Sequence, residues 1–213
     1  MIMTKKRVGG AGHNSQTKES SVVAELGLKR VRVKISGLPP GIIFQGKGIM
    51  EAGADSGGKQ VKPRSPDEEA RLRAHWMEVD GKQQLCIPWV MLYQSICTAG
   101  NSFKFKGQKK MGGVIAATVS CEQDNIPLGT SRFETYEEWV KIPPKTGAMV
   151  KIGRPRLKTW EVEFILVVDD EMYSAEKLRE VIVLAGKLVG IGAWRPERRG
   201  PYGRFELLEF EVL

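Results

Sequence analysis

The stretch that decides the fold is WEVEFILVVDDEMYSAEKLREVIVLAGKLVGIGAWRPERRGPYGRFELLEFEVL, Trp160 to Leu213. Trp160, Val162, Phe164, Leu166 and Val168 alternate with Glu161 and Glu163, the period of a half-buried strand. Ser174 then offers an N-cap hydroxyl, and Leu178, Val181, Ile182, Ala185, Leu188 and Val189 recur at helical spacing. A helix with one apolar stripe is predicted there. RFELLEFEVL closes the chain as a further strand, so this end reads strand, helix, strand.

The same alternation appears upstream. In LKRVRVKIS, Val31, Val33 and Ile35 interleave with Arg30, Arg32 and Lys34, which predicts a strand with one cationic face. GLPPG ends it with turn chemistry. RLRAHWMEVDGKQQLCI reads as a hairpin about Asp80-Gly81. IPWVMLYQSICTAG reads as a helix, with Pro88 in its first turn and Gly100 just past its end. SFKFKGQKKMGG is a basic loop and VIAATVSCE a strand. Reduced to its regular elements the order is β-α-β-β-α-β, an α+β, ferredoxin-like plan with two helices on one face of an antiparallel sheet. The domain is expected over residues 28–213, with insertions at about 42–80 and 123–149, after a flexible basic arm over 1–27.

Charge is unevenly placed. The net charge is +8, and residues 1–50 hold nine Lys and Arg against Glu19 and Glu25, leaving the rest nearly neutral. Such a balance is expected of nucleic-acid binders and also occurs in proteins that bind none. Cys86, Cys97 and Cys121 are odd in number and have no CxxC spacing, which suits buried thiols in a reducing cytoplasm. No apolar run is long enough for a membrane span, and no secretory signal follows MIMTKKRVGG.

Catalytic and cofactor motifs are weak. GADSGGKQ, Gly53 to Gln60, fits GxxxxGK but puts Gln60 where a phosphate loop needs a hydroxyl, and Pro63 and Pro66 follow at once. Gly190-Ile-Gly192 comes after a helix and before a strand, the reverse of a dinucleotide fingerprint. No metal-ligand spacing is present, and neither metal nor cofactor is expected. Two residues remain as catalytic candidates: Asp55 for metal-assisted phosphodiester cleavage and His75 for acid–base work.

The cations gather into four groups. They are the strand face Arg30, Arg32 and Lys34; the loop Lys104, Lys106, Lys109 and Lys110; the turn Lys151, Arg154, Arg156 and Lys158; and Arg195, Arg198, Arg199 and Arg204. Phe103, Phe105, Trp160, Trp194 and Tyr202 lie within or beside them. Cations for phosphates and rings for unpaired bases are what a single strand requires. On the strand face, ion pairs with Glu161 and Glu163 compete with phosphate for the same cations.

The closing GIGAWRPERRGPYGRFEL, after an amphipathic helix, resembles the C-terminal glycine-rich loop of the RAMP superfamily, which includes backbone subunits of CRISPR effector complexes. IPWVMLYQSICTAG and RVKISGLPPGIIFQG are similar to its helix-opening and first-strand segments, and the wording is closely similar to phage-encoded relatives. The resemblance implies an RRM-like domain that holds single-stranded RNA or DNA without catalysis and forms an oligomer or filament on the strand. It places Gly190, Gly192, Gly200 and Gly203 in a loop of close backbone approach, with Arg195, Arg198 and Arg199 on phosphates. An endoribonuclease and a protein-interaction module within a host or phage complex, such as a CRISPR-complex inhibitor or a phage assembly factor, stand as alternatives.

Overall fold

Val31, Val33 and Ile35 are fully buried on one side of strand β1 (Leu28–Gly37), and Arg30, Arg32 and Lys34 stand on the other. The computed structural model describes residues 27–44, 64–107, 109–142, 148–169 and 171–213. The expected arm over 1–27 (Gly27 apart), Asp55 and the Gly53 to Gln60 motif lie outside them.

After β1 come β2 (Ile42–Ile43), helix α1 (Pro66–Arg73) and a hairpin of β3 (Trp76–Val79) and β4 (Lys82–Pro88). Next are α2 (Trp89–Gly100), α3 (Met111–Thr118), β5 (Val119–Cys121) and β6 (Asn125–Pro127). The chain continues through β7 (Glu134–Ile142), β8 (Ala148–Leu157), β9 (Glu161–Asp169), α4 (Ala175–Leu184) and β10 (Phe205–Val212).

The main sheet has the order β10-β1-β9-β5, every pair antiparallel. This is the strand order of a ferredoxin-like α+β fold. The apolar sides of β1 and β9 pack beneath α2 and α4, whose buried faces are Leu92, Ile96 and Ala99, and Leu178, Val181 and Ile182. Ser174 caps α4 as expected, accepting a hydrogen bond from the Lys177 N–H at 3.3 Å.

Three local expectations are corrected. Most of VIAATVSCE is helix α3, and only Val119–Cys121 joins the sheet. Alanines favour the helix, and Gly100 and Gly112 let α3 lie against α2: a Cβ on Gly112 would sit 2.3 Å from the Cys97 carbonyl. RLR belongs to α1, whose Ser65–Glu68 capping box fixes its start, and the hairpin begins only at Trp76. Leu188 is 60 % exposed, because residues Ala185–Val189 form a π-turn in which the Gly190 N–H reaches the Ala185 carbonyl. The wider turn carries Val189 inward in its place.

Asp80 and Gly81 both take positive φ, 50° and 73°, as a two-residue hairpin demands. Strand β7, within the expected second insertion, pairs along its length with β8, most of which follows that insertion, and β2 adds to β8 to complete a second sheet, β2-β8-β7. No helix among the described residues is long and apolar enough to cross a membrane.

The three cysteines are free thiols, but only Cys86 is buried as expected; Cys97 and Cys121 are half-buried. Burial pushes the Cys121 thiol up to about 11; Glu122 and Asp124 add to this, and a backbone hydrogen bond from Gln123 opposes it. The folded chain therefore keeps a proton that the unfolded chain loses first, so stability falls as pH rises from about 9 towards 11. At pH 8 iodoacetamide is expected to modify Cys121 at least about tenfold more slowly in the native than in the urea-unfolded chain, read by peptide mass mapping.

Candidate nucleic-acid interface

The connection from α4 to β10 is folded closely on itself. Gly190, Gly192 and Gly203 take φ of 69°, 81° and 73°, and the non-glycine residues Trp194 and Arg199 are also left-handed at 52° and 61°. The Ile191 N–H donates to the Gly203 carbonyl, Tyr202 to Trp194, Gly200 to Arg195 and Arg199 to Pro196. Two more bonds seat the loop on the body: Ala193 N–H to the Ile43 carbonyl and Gly203 N–H to the Gly41 carbonyl, each 2.8 Å.

The space beside these glycines is filled by protein. A Cβ on Gly200 would lie 1.9 Å from the Trp194 carbonyl oxygen, and one on Gly192 would lie 2.4 Å from that of Ile43. Backbone freedom at Gly190, Gly192, Gly200 and Gly203 therefore serves the loop's own packing. What the loop presents outward is side chains.

The cations meet different fates. On the open face of the main sheet, Arg30 makes two hydrogen bonds to Glu122, at 2.6 and 2.9 Å. Arg32 pairs with Glu211 at 2.6 Å and Glu163 at 3.5 Å, and Lys34 with Glu161 at 3.0 Å and Glu209 at 3.9 Å. The hydrogen bond to Glu161, followed by its charge, raises the Lys34 ammonium above its ordinary range. Antiparallel register puts these partners side by side, as the alternation of β1 and β9 leads one to expect. Replacing the pairs Arg30 and Glu122, Arg32 and Glu211, and Lys34 and Glu161 together by alanine, which leaves the net charge unchanged, is expected to change single-strand affinity less than about twofold, measured by fluorescence anisotropy at fixed salt, since each cation is already held by a carboxylate.

Lys151, Arg154, Arg156 and Lys158 lie on or just after strand β8 and not in a turn. Gly153 in that strand is the contact point of α1, where a Cβ would lie 1.8 Å from the Pro66 carbonyl oxygen. Lys151 pairs with Glu137, Arg154 with Glu138, and Lys158 with Glu134 at 2.8 Å. Arg156 donates to the Pro40 carbonyl at 3.1 Å and lies over the Tyr202 ring at 5.4 Å. Arg195 is held by Glu197 at 2.6 Å and the Gly192 carbonyl at 3.1 Å.

Arg198, Arg199 and Arg204 differ: all three are exposed, and among the described residues none enters an ion pair. Lys104, Lys106, Lys109 and Lys110 are likewise exposed and unpaired among them. The two groups do not converge. Met91, Gln94 and Ser95 of α2 line a pocket together with Gly192 and Arg195 of the arginine loop, whereas the lysine loop follows the end of that helix. The part of α2 from Ser95 to Gly100 lies between them.

Of the five aromatic residues near these groups, Trp194 alone is largely open, at 49 %. Trp160 is buried against Phe205, Tyr202 packs edge-on to Tyr136, and Phe103 and Phe105 lean on the core. His75 is half-buried with its ring 6.2 Å from that of Phe44. Among the described residues no three His, Cys, Asp or Glu side chains converge as metal ligands.

Sequence reading missed Glu138. One of its oxygens accepts from the Arg154 Nε and the other from the Trp194 Nε1 at 2.7 Å, joining the β7–β8 hairpin to the arginine loop. The alternation of Tyr136, Glu138 and Val140 with Glu137, Trp139 and Lys141 marks β7 as a strand, but nothing in the sequence pairs it with residue 194. Between hairpin and loop lies a cleft of about 320 Å³, lined by Glu138, Val140, Arg154, Ala193, Trp194 and Arg198 among others.

Solved structures resemble this chain, and the first of them shares its fold. A chain of the Type III-B Cmr-beta complex bound to cognate target RNA is 12% identical, with a TM-score of 0.51 over 95% of this chain and 68% of that one. A chain of a Type IV-B CRISPR complex is 10% identical, with a TM-score of 0.47 over 84% of this chain and 90% of that one. No protein-family model and no curated protein matches the sequence.

Proposed function

We propose that this chain is a non-enzymatic, cytoplasmic subunit that binds single-stranded nucleic acid, RNA in the first instance, and assembles with further copies or with partner subunits along the strand. The observation that carries the reading is the set of exposed Arg198, Arg199 and Arg204, without an ion pair among the described residues, on a loop whose backbone is fixed by its own hydrogen bonds. Guanidinium groups on a rigid support meet phosphate oxygens with little ordering cost. The lysine loop beyond the end of α2 extends the path for the strand. The fold is that of a subunit in an assembly bound to target RNA, which supports RNA as the ligand. A phage origin rests on the wording of the sequence alone.

The test is a salt titration of the full chain with labelled single-stranded RNA and DNA. Affinity is expected to fall steeply and linearly in log–log form as counterions are released. Absence of binding to both at low salt overturns the reading. Shortening of a long strand during the assay, abolished by Asp55→Asn or His75→Ala, would replace it with an endoribonuclease. Co-purification with a protein complex free of nucleic acid would replace it with an interaction module.

A further inference from the structure

The geometry points to the cleft between the β7–β8 hairpin and the arginine loop as a slot for one unstacked nucleobase, with Trp194 as its stacking wall and Glu138 as the residue that positions that wall. This rests on the strand-binding reading above and adds where a base goes. Trp194 has its indole N–H bonded to Glu138 at 2.7 Å, yet half of the residue remains open. The polar edge is thus anchored while the ring is left bare. Its backbone is held as well, in a left-handed conformation with the carbonyl accepting from the Tyr202 N–H. A ring fixed in this way stacks without first losing rotamer freedom.

The remaining walls suit a base and its phosphate. Val140 and Ala193 are apolar, and Arg198 at the rim is an exposed cation with no ion pair among the described residues. At about 320 Å³ the cleft lies at the lower end of small-ligand sites, room for a single ring system but not for a duplex or a peptide helix. Glu138 is 9 % exposed at its side chain and already serves Arg154 and Trp194, so it acts through the tryptophan. This slot and the phosphate contacts are separable, because stacking releases no counterions.

The experiment uses the full chain and a single-stranded RNA of about 16 nucleotides carrying 4-thiouridine. Trp194→Ala is expected to weaken binding about 5- to 100-fold with the slope of log affinity against log salt unchanged. Trp194→Phe keeps most of the affinity, and the photo-crosslink of the wild type maps to Trp194. Glu138→Ala lowers the yield of that crosslink, and Glu138→Gln, which still offers an oxygen to the indole N–H, restores it. Wild-type affinity in Trp194→Ala, or a crosslink mapping only elsewhere, overturns the slot and leaves strand binding standing. Absence of RNA binding by the wild type instead removes the reading beneath it. Should Trp194→Ala melt early, the Trp194→Phe variant and the wild-type crosslink decide.

Discussion

Replacing Arg198, Arg199 and Arg204 together by alanine should lower affinity for single-stranded RNA on the order of several-hundred-fold at about 50 mM salt, with the deficit vanishing near 1 M. The size follows from counterion release. Each phosphate neutralised on a single strand contributes about 0.7 to the slope of log affinity against log salt, so three contacts account for a slope difference of about 2. The variant and wild-type lines then converge where the salt itself no longer resists release. Because the three side chains are exposed and enter no ion pair among the described residues, their removal leaves no carboxylate stranded and the fold intact. Filter binding across a salt series, with circular dichroism to check folding, measures both quantities. Parallel lines for variant and wild type would mean that these arginines touch no phosphate.

The contrast with Arg30, Arg32 and Lys34 shows what one chain of residues can and cannot disclose. Alternation in LKRVRVKIS and WEVEFILVV placed both strands and their apolar sides, since side-chain direction in a strand is a local property. It also placed the competing acids Glu161 and Glu163, because β1 and β9 are neighbours in this strand order. The partners Glu122, Glu209 and Glu211 depend on register across two further strands, where a bulge beside Lys34 shifts the pairing by one residue. Which arginines remain unpaired was therefore not readable from their spacing. The helix at Met111–Thr118 was hidden for a different reason. Val114, Ile115 and Val119 suit a strand by composition, and the glycine contact with α2, which adds to the helix preference of Ala116 and Ala117, is not visible in the sequence. Glu138 was the hardest to find, being 56 residues from Trp194 in an insertion punctuated by glycine and proline.

Gly203→Ala is expected to destabilise the native chain by about 4 kcal/mol or more, whereas Gly81→Ala costs about 1–2 kcal/mol. The two glycines share the same φ of 73°, so a side chain at either meets the same backbone strain. Their surroundings differ. Nothing lies within 4 Å of a Cβ built on Gly81, but one on Gly203 would stand 1.8 Å from the Ile191 carbonyl oxygen. To relieve that clash the loop must separate, which breaks the bonds from Ile191 N–H to the Gly203 carbonyl and from Gly203 N–H to the Gly41 carbonyl. Each buried group left unpaired adds about 1–3 kcal/mol to the strain. Urea unfolding of the two variants without any ligand isolates the packing term, because the strain cancels in the comparison. Equal losses would show that the space beside Gly203 is open, and that its missing side chain makes room for a ligand and not for the chain itself. Unequal losses of the predicted size assign the glycines to loop rigidity, the property on which an arginine clamp of fixed geometry depends.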